Sequence, residues 1–142
     1  MKKKDIKQII NLIGLIVICG FGYCMWGMDF VPNTKYETVK MQPNQNEAYY
    51  VNNWCTPDFG RTEFVLWDKS RCDCLTKDYA IEFDFAHKWA ESVGQSLYYA
   101  KLTKRKPAVT IILTKPTDII YLKRLEALTE QTGIKIFAIR AF

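Results

Sequence analysis

The chain reads as an α/β domain, a mixed β-sheet with helices on its faces, preceded by one transmembrane helix. Three observations predict this. Residues 9–28 carry no charged side chain over about the 20 residues needed to cross a bilayer. Runs of apolar residues, alternating or continuous, recur after position 60, while the stretches between them repeat apolar residues every three or four positions. The resulting order of helix, three strands, helix, strand, helix and strand is that of a sheet with helices packed on it.

The apolar segment comes first. Lys2, Lys3, Lys4 and Lys7 precede it and no lysine follows until Lys35, so the positive-inside bias puts the N-terminus in the cytoplasm. Tyr23 and Trp26 stand where interfacial aromatic anchors belong. A cleaved signal peptide shares the basic start, but no alanine occurs before Ala48 to supply a small-residue cleavage site. In a bacterial cell this means a single-pass inner-membrane protein with its C-terminal domain in the periplasm. Residues 1–8 are the cytoplasmic basic N-terminus, 9–28 the anchor, 29–43 a polar linker with Pro32, Asn33 and Pro43, and 44–142 the folded domain.

Asn44 or Asn46 can cap a short helix through Glu47, Tyr50, Val51 and Trp54, which the Thr56-Pro57 breaker ends. Strands follow at Thr62–Trp67, Arg71–Leu75 and Tyr79–Phe85, divided by polar turns. Phe85, Trp89, Val93, Leu97 and Ala100 then mark an amphipathic helix over Ala86–Leu102. Ala108–Leu113 is apolar enough to be a strand buried on both faces. Pro116–Gln131 forms another helix, closed by Gly133, and Ile134–Ile139 is the last strand.

With 49% hydrophobic and 14% aromatic residues the chain has the apolar surface to offset its ordering entropy, and beyond the anchor about 110 residues suffice for one modest core. The N-terminal lysines supply most of the net charge of +5, so a polyanion partner has to be sought in local patches. The clearest is Lys101, Lys104, Arg105 and Lys106, which also suits a solvated loop. Outside the membrane Cys55, Cys72 and Cys74 meet an oxidising space. Cys72 and Cys74, two apart on one strand, are expected on the same face and badly placed to bond each other, so Cys55 is expected to pair with one of them. A zinc site with His87 lacks a C-x-x-C pair and a fourth ligand.

Phosphodiester hydrolysis uses a divalent cation held by hard oxygen ligands, so converging carboxylates are the signal to look for. Glu82 and Asp84 alternate with Ile81, Phe83 and Phe85 and therefore share a face, and an antiparallel pairing with the preceding strand brings Asp73 to them. On the next helix Lys88, Gln95 and Tyr99 return to nearly the same angle, with Lys88 expected one turn into the helix that starts where the strand ends. His87 points elsewhere, and no Ser-His-Asp or Cys-His motif supports it as a base.

These residues resemble the PD-(D/E)xK nuclease superfamily, in particular its RecB-like branch with a Q-x-x-x-Y motif, over about residues 47–113. Asp73 matches the metal-binding aspartate, Glu82 the acidic residue of (D/E)-x-K, Gln95 and Tyr99 the helix motif, and Glu47 the acidic residue some members place on the preceding helix. The family's lysine position is Asp84 here, and Lys88 stands as a relocated lysine. The resemblance implies a restriction-endonuclease-like fold in which Asp73, Glu82 and Asp84 hold Mg²⁺ or Mn²⁺. Lys88 positions water and stabilises charge, and Gln95 and Tyr99, with Glu47 beside them, contact the substrate. The implied activity is cleavage of DNA on the outer side of the cytoplasmic membrane, incoming DNA being one substrate that placement suits, by a homo-oligomer or with an accessory protein. The alternative is an inactive nuclease fold that serves as a tethered binding or assembly module.

Overall fold

A computed structural model describes residues 36–142, the side chain of Glu130 excepted. The basic N-terminus and the expected transmembrane segment lie outside these residues. Among the described residues no helix is long and apolar enough to cross a membrane.

The elements are β1 (Thr38–Lys40), α1 (Glu47–Trp54), β2 (Gly60–Val65), β3 (Arg71–Thr76), β4 (Tyr79–Phe85), α2 (Trp89–Thr103), β5 (Lys106–Leu113), α3 (Ile119–Thr132) and β6 (Lys135–Arg140). Short 3-10 turns at Ala86–Lys88 and Pro116–Asp118 lead into α2 and α3. The strands form one six-stranded mixed sheet in the order β1-β6-β5-β4-β3-β2. β1, β6, β5 and β4 are parallel, and β3 and β2 add antiparallel at one edge. The fold is thus α/β, and the central parallel strands explain why Ala108–Leu113 is buried throughout.

Alternation along the central strands divides the core into two layers. Tyr50, Val51 and Cys55 of α1 cover Ile81, Phe83, Ile112 and Phe137 on one face. On the other, Leu122 and Leu125 of α3 and Trp89 and Val93 of α2 pack on Val109, Ile111 and Ile136. The far end of α2 continues that layer with Tyr99 and Ala100 over Ala80, Leu66 and Cys72. Asn46 caps α1, its Oδ1 accepting from Tyr49 N at 2.9 Å. Gly133, at φ 66°, closes α3 in the left-handed region that glycine enters without strain.

The expected pattern needs correction in four places. β1 lies inside the segment expected as linker and pairs with β6, so the packed domain reaches back before Asn44. Ala86–Lys88 is a separate 3-10 turn, which makes Lys88 the N-cap of α2 rather than a residue one turn inside it. The buried stripe of α2 runs through Ser92, Ser96, Tyr99 and Ala100, and Leu97 is exposed. Serine permits close approach to the sheet because its hydroxyl turns back to its own helix, from Ser92 to Trp89 O at 2.8 Å and from Ser96 to Val93 O at 3.0 Å. Finally, Trp67 lies beyond the end of β2, in the hairpin tip.

Cys55 and Cys74 form a disulfide that ties the end of α1 to β3, and Cys72 is left as a buried free thiol. Cys72 and Cys74 do not share a face. Cys74 belongs to the layer under α1 and Cys72 to the layer under α2, so the strand is irregular between them, where its pairing with β4 stops and Glu63 opposite adopts φ 50°. Gly60 passes beside the bridge, where a Cβ would stand 3.0 Å from Cys74 Sγ, 3.0 Å from Leu75 O and 3.1 Å from Cys55 Sγ.

Two outcomes are expected in thermal and denaturant unfolding. Gly60→Ala should cost about 1–3 kcal/mol through overpacking, whereas Gly94→Ala, in open space on α2, should add about 0.5–1 kcal/mol. Replacing both Cys55 and Cys74 by serine opens a loop of sequence separation 19 and should cost about 3 kcal/mol.

Candidate functional site

β4 delivers two carboxylates into the layer between the sheet and α2. Ile81, Phe83 and Phe85 face α1, so Glu82 and Asp84 face the other way, and they are only 6% and 3% exposed. Burying ionised carboxylates without compensation is costly, so neutral forms or a cationic partner are favoured there.

Asp73 reaches them because β3 and β4 part at that residue. Their pairing runs from Leu75↔Ala80 to Cys74↔Ile81 and stops. In place of a strand carbonyl, Asp73 Oδ2 accepts the Phe83 N–H at 2.8 Å. On the other side of β3 the register passes from Thr62↔Cys74 to Phe64↔Cys72, and between them Glu63 adopts φ 50°. A left-handed residue other than glycine inside a strand costs on the order of 1–3 kcal/mol and tends to mark functional positions. Glu63 escaped sequence reasoning, since an exposed glutamate on an edge strand carries no signal.

Lys88 Nζ lies 3.6 Å from Asp84 Oδ1, with its own side chain about half exposed. Asp84 Oδ1 also accepts from Phe85 N at 2.9 Å. Glu47, the first residue of α1, reaches the same place from the opposite layer and interacts with Asp73, Asp84 and Lys88. Gln95 is half-buried and hydrogen-bonds Tyr99, which is buried beneath Glu82 and Asp73. Of the helix pair, Gln95 is therefore the more accessible. His87 is exposed and stacks on Phe85 at 6.3 Å between ring centroids.

The carboxylates perturb one another. Burial pushes Glu82 up to about 9, helped by Asp73, Glu47, Asp84 and Glu63. Burial also raises Glu47 to about 7, with Asp73 and Asp84 adding to it and Lys88 opposing. Asp73 rises to about 6 for the same first reason, although the Phe83 N–H holds it down. Burial raises Asp84 against the pull of Lys88, and Lys88 is itself raised, chiefly by Asp84. Tyr99 is driven to about 12 by burial and then by Glu82 and Asp73. The structure thus brings Glu47, Asp73, Glu82, Asp84 and Lys88 into one cluster bordered by Gln95 and Tyr99.

Glu82 Oε2 is buried with no hydrogen-bond partner. An orphaned carboxylate oxygen amid other carboxylates suits a hard divalent cation in chemistry. The fit is not a preformed cage: among the described residues no group of three or more His, Cys, Asp or Glu side chains is arranged to hold a metal ion as it stands.

The shifts fix a direction for pH. Asp73, Glu47 and Glu82 have folded values above their ordinary 3.8, 4.5 and 4.5, so the stability they contribute is fully present below those values. It is lost as pH rises through about 6, 7 and 9 respectively. In chelator, Glu82→Gln should therefore raise the Tm at pH 9 and leave it little changed at pH 4, as read from melting curves across that range. Comparison with protein families, with curated proteins and with solved structures found no match to this chain.

Proposed function

We propose that the chain is a metal-dependent nuclease of the PD-(D/E)xK kind that hydrolyses DNA phosphodiesters, held at the outer face of the cytoplasmic membrane by residues 9–28. The observation that carries this reading is the gathering of Glu47, Asp73, Glu82 and Asp84 with Lys88 around a buried, unpartnered Glu82 oxygen. A restriction-endonuclease-like arrangement is supported by the order of elements, in which metal-binding carboxylates on β3 and β4 are followed by Gln95 and Tyr99 on the next helix. The disulfide supports an oxidising compartment.

When bound, Mg²⁺ or Mn²⁺ supplies Lewis-acid polarisation of the scissile phosphate and neutralises the carboxylates. Glu82 Oε2 and the oxygen of Asp73 not used by Phe83 N–H are the residues' first candidates to hold it, with Asp84 beside them. Lys88, partly exposed at the rim, orients the attacking water and stabilises charge on the phosphate. Gln95 offers an amide to the backbone of the strand being cut, and buried Tyr99 holds Gln95 in place. Glu47 adds a fourth carboxylate from the opposite layer.

A second reading, an inactive nuclease fold serving as a tethered binding or assembly module, is favoured by one feature. Lys88 is engaged by Asp84, which itself occupies the lysine position of the motif. The full-length protein in detergent, incubated with single- and double-stranded DNA and Mg²⁺ or Mn²⁺, should cleave, and chelator should stop it. Asp73→Asn, Glu82→Gln and Lys88→Ala should each lower the rate by about 100-fold or more. Mn²⁺ at a hundred times its Kd should stabilise the parent by about 2.7 kcal/mol. Stabilisation by Mn²⁺ without cleavage of DNA or RNA leaves the second reading; neither effect removes the metal site altogether.

A further inference from the structure

The hairpin between β2 and β3 carries the most exposed large apolar side chain among the described residues. Trp67 is 80% exposed, and Val65 before it 60%. No ring pairing or cation contact holds Trp67 among the described residues. Its mount is nevertheless rigid. Leu66 N donates to Ser70 O at 2.8 Å, and Lys69 N to Leu66 O at 3.0 Å. Asp68 Oδ1 accepts from Ser70 N at 3.1 Å and from Ser70 Oγ at 2.7 Å.

The tip is also tied to α2. Tyr98 OH donates to Asp68 Oδ2, and Leu66 packs in the layer that contains Tyr99 and Ala100. The Tyr98 and Tyr99 rings stand 5.9 Å apart, so the indole's mount is continuous with the helix segment that borders Glu82. Of the acidic groups in the hairpin, Asp68 is engaged by Tyr98 and Glu63 by Arg71 at 2.9 Å; Asp78, whose carbonyl accepts from Lys106 N at 2.9 Å, is an exposed acid beside the end of α2. Lys69 in the tip, and Lys101, Lys104 and Arg105 at the end of α2, are exposed cations.

We infer that this hairpin and the end of α2 form a binding surface for unpaired nucleic acid, with Trp67 as the platform on which a base stacks and the cations taking the flanking phosphates. The backbone that carries the indole is already hydrogen-bonded in place, so little main-chain freedom is lost on binding, and stacking accepts any base because every base has a π-face. The charge separates this occupant from a protein partner: protein-docking cores are depleted of charged residues, and here four exposed cations, Lys69, Lys101, Lys104 and Arg105, stand against one free acid, Asp78. The surface also absorbs the basic run that the cluster of carboxylates leaves unused. The inference rests on the nuclease reading for its biological sense, and it narrows the substrate to strands with unpaired bases.

The test uses the full-length protein in detergent with EDTA and a fluorescein-labelled oligothymidylate of about 16 nucleotides, read by anisotropy beside an oligouridylate and a DNA duplex of the same length. The parent should bind both single strands more tightly than the duplex. Trp67→Ala should weaken single-strand binding by about 5- to 150-fold, and Trp67→Phe should keep most of it. Because the side chain is exposed, both variants should melt like the parent, and cleavage with Mn²⁺ separates the two ideas. Single-strand binding lost in Trp67→Ala while no protein cuts DNA sinks the nuclease reading alone. Equal binding by parent and Trp67→Ala in a cleaving protein, or preference for duplex, overturns the inference alone. A self-association of the parent that Trp67→Ala abolishes gives the surface to a second copy and likewise overturns it.

Discussion

One hydrogen bond organises the charged half of this molecule: the Phe83 N–H given to Asp73 rather than to a strand carbonyl. Where two antiparallel strands stay in register, every backbone group finds its partner across the ladder and side chains only decorate the faces. Here the ladder between β3 and β4 ends at Cys74↔Ile81, and a carboxylate takes over as acceptor. The substitution draws an acid into the sheet plane beside Glu82. The regular alternation of β3 ends at the same place, with Cys74 in one layer and Cys72 in the other.

The disulfide follows from the regular part of the ladder, where Cys74 pairs with Ile81, and in turn constrains the cluster. Cys74 can meet Cys55 only because it faces α1, and the bridge fixes the C-terminal end of the helix whose first residue is Glu47. Gly60 lets β2 pass against the bridge without a side chain in the way. Four carboxylates from three elements are held against their mutual repulsion by packing, by the Phe83 N–H given to Asp73 and the Phe85 N–H given to Asp84, and by Lys88 in contact with Asp84. Such an arrangement is stable chiefly while protons, or a bound cation, reduce the charge.

The accessible boundary of the cluster differs in character from its interior. Serines on α2 bring the helix close to the sheet and bury Tyr99, which leaves Gln95 and Lys88 nearer the surface. The β2–β3 hairpin extends this boundary with an indole and cations, so acids lie inside and bases with an aromatic lie outside. On the proposed nuclease reading, that polarity would suit a polyanion whose phosphate meets the carboxylates through a cation.

Much of the fold was legible in sequence because it rests on near neighbours. The shift from alternating to three-and-four spacing placed α1 to α3 and β2 to β6, the asparagines at 44 and 46 announced a cap that Asn46 supplies, and alternation put Glu82 and Asp84 on a common face. Those signals need only the local geometry of helix and strand. The choice of Cys74 over Cys72, the left-handed Glu63, the place of Glu47 and the pairing of short β1 with β6 were decided only in the tertiary structure. Each depends on which distant segments close on each other and where a ladder breaks off. A two-residue repeat cannot encode that, since a single irregular residue reverses every face beyond it.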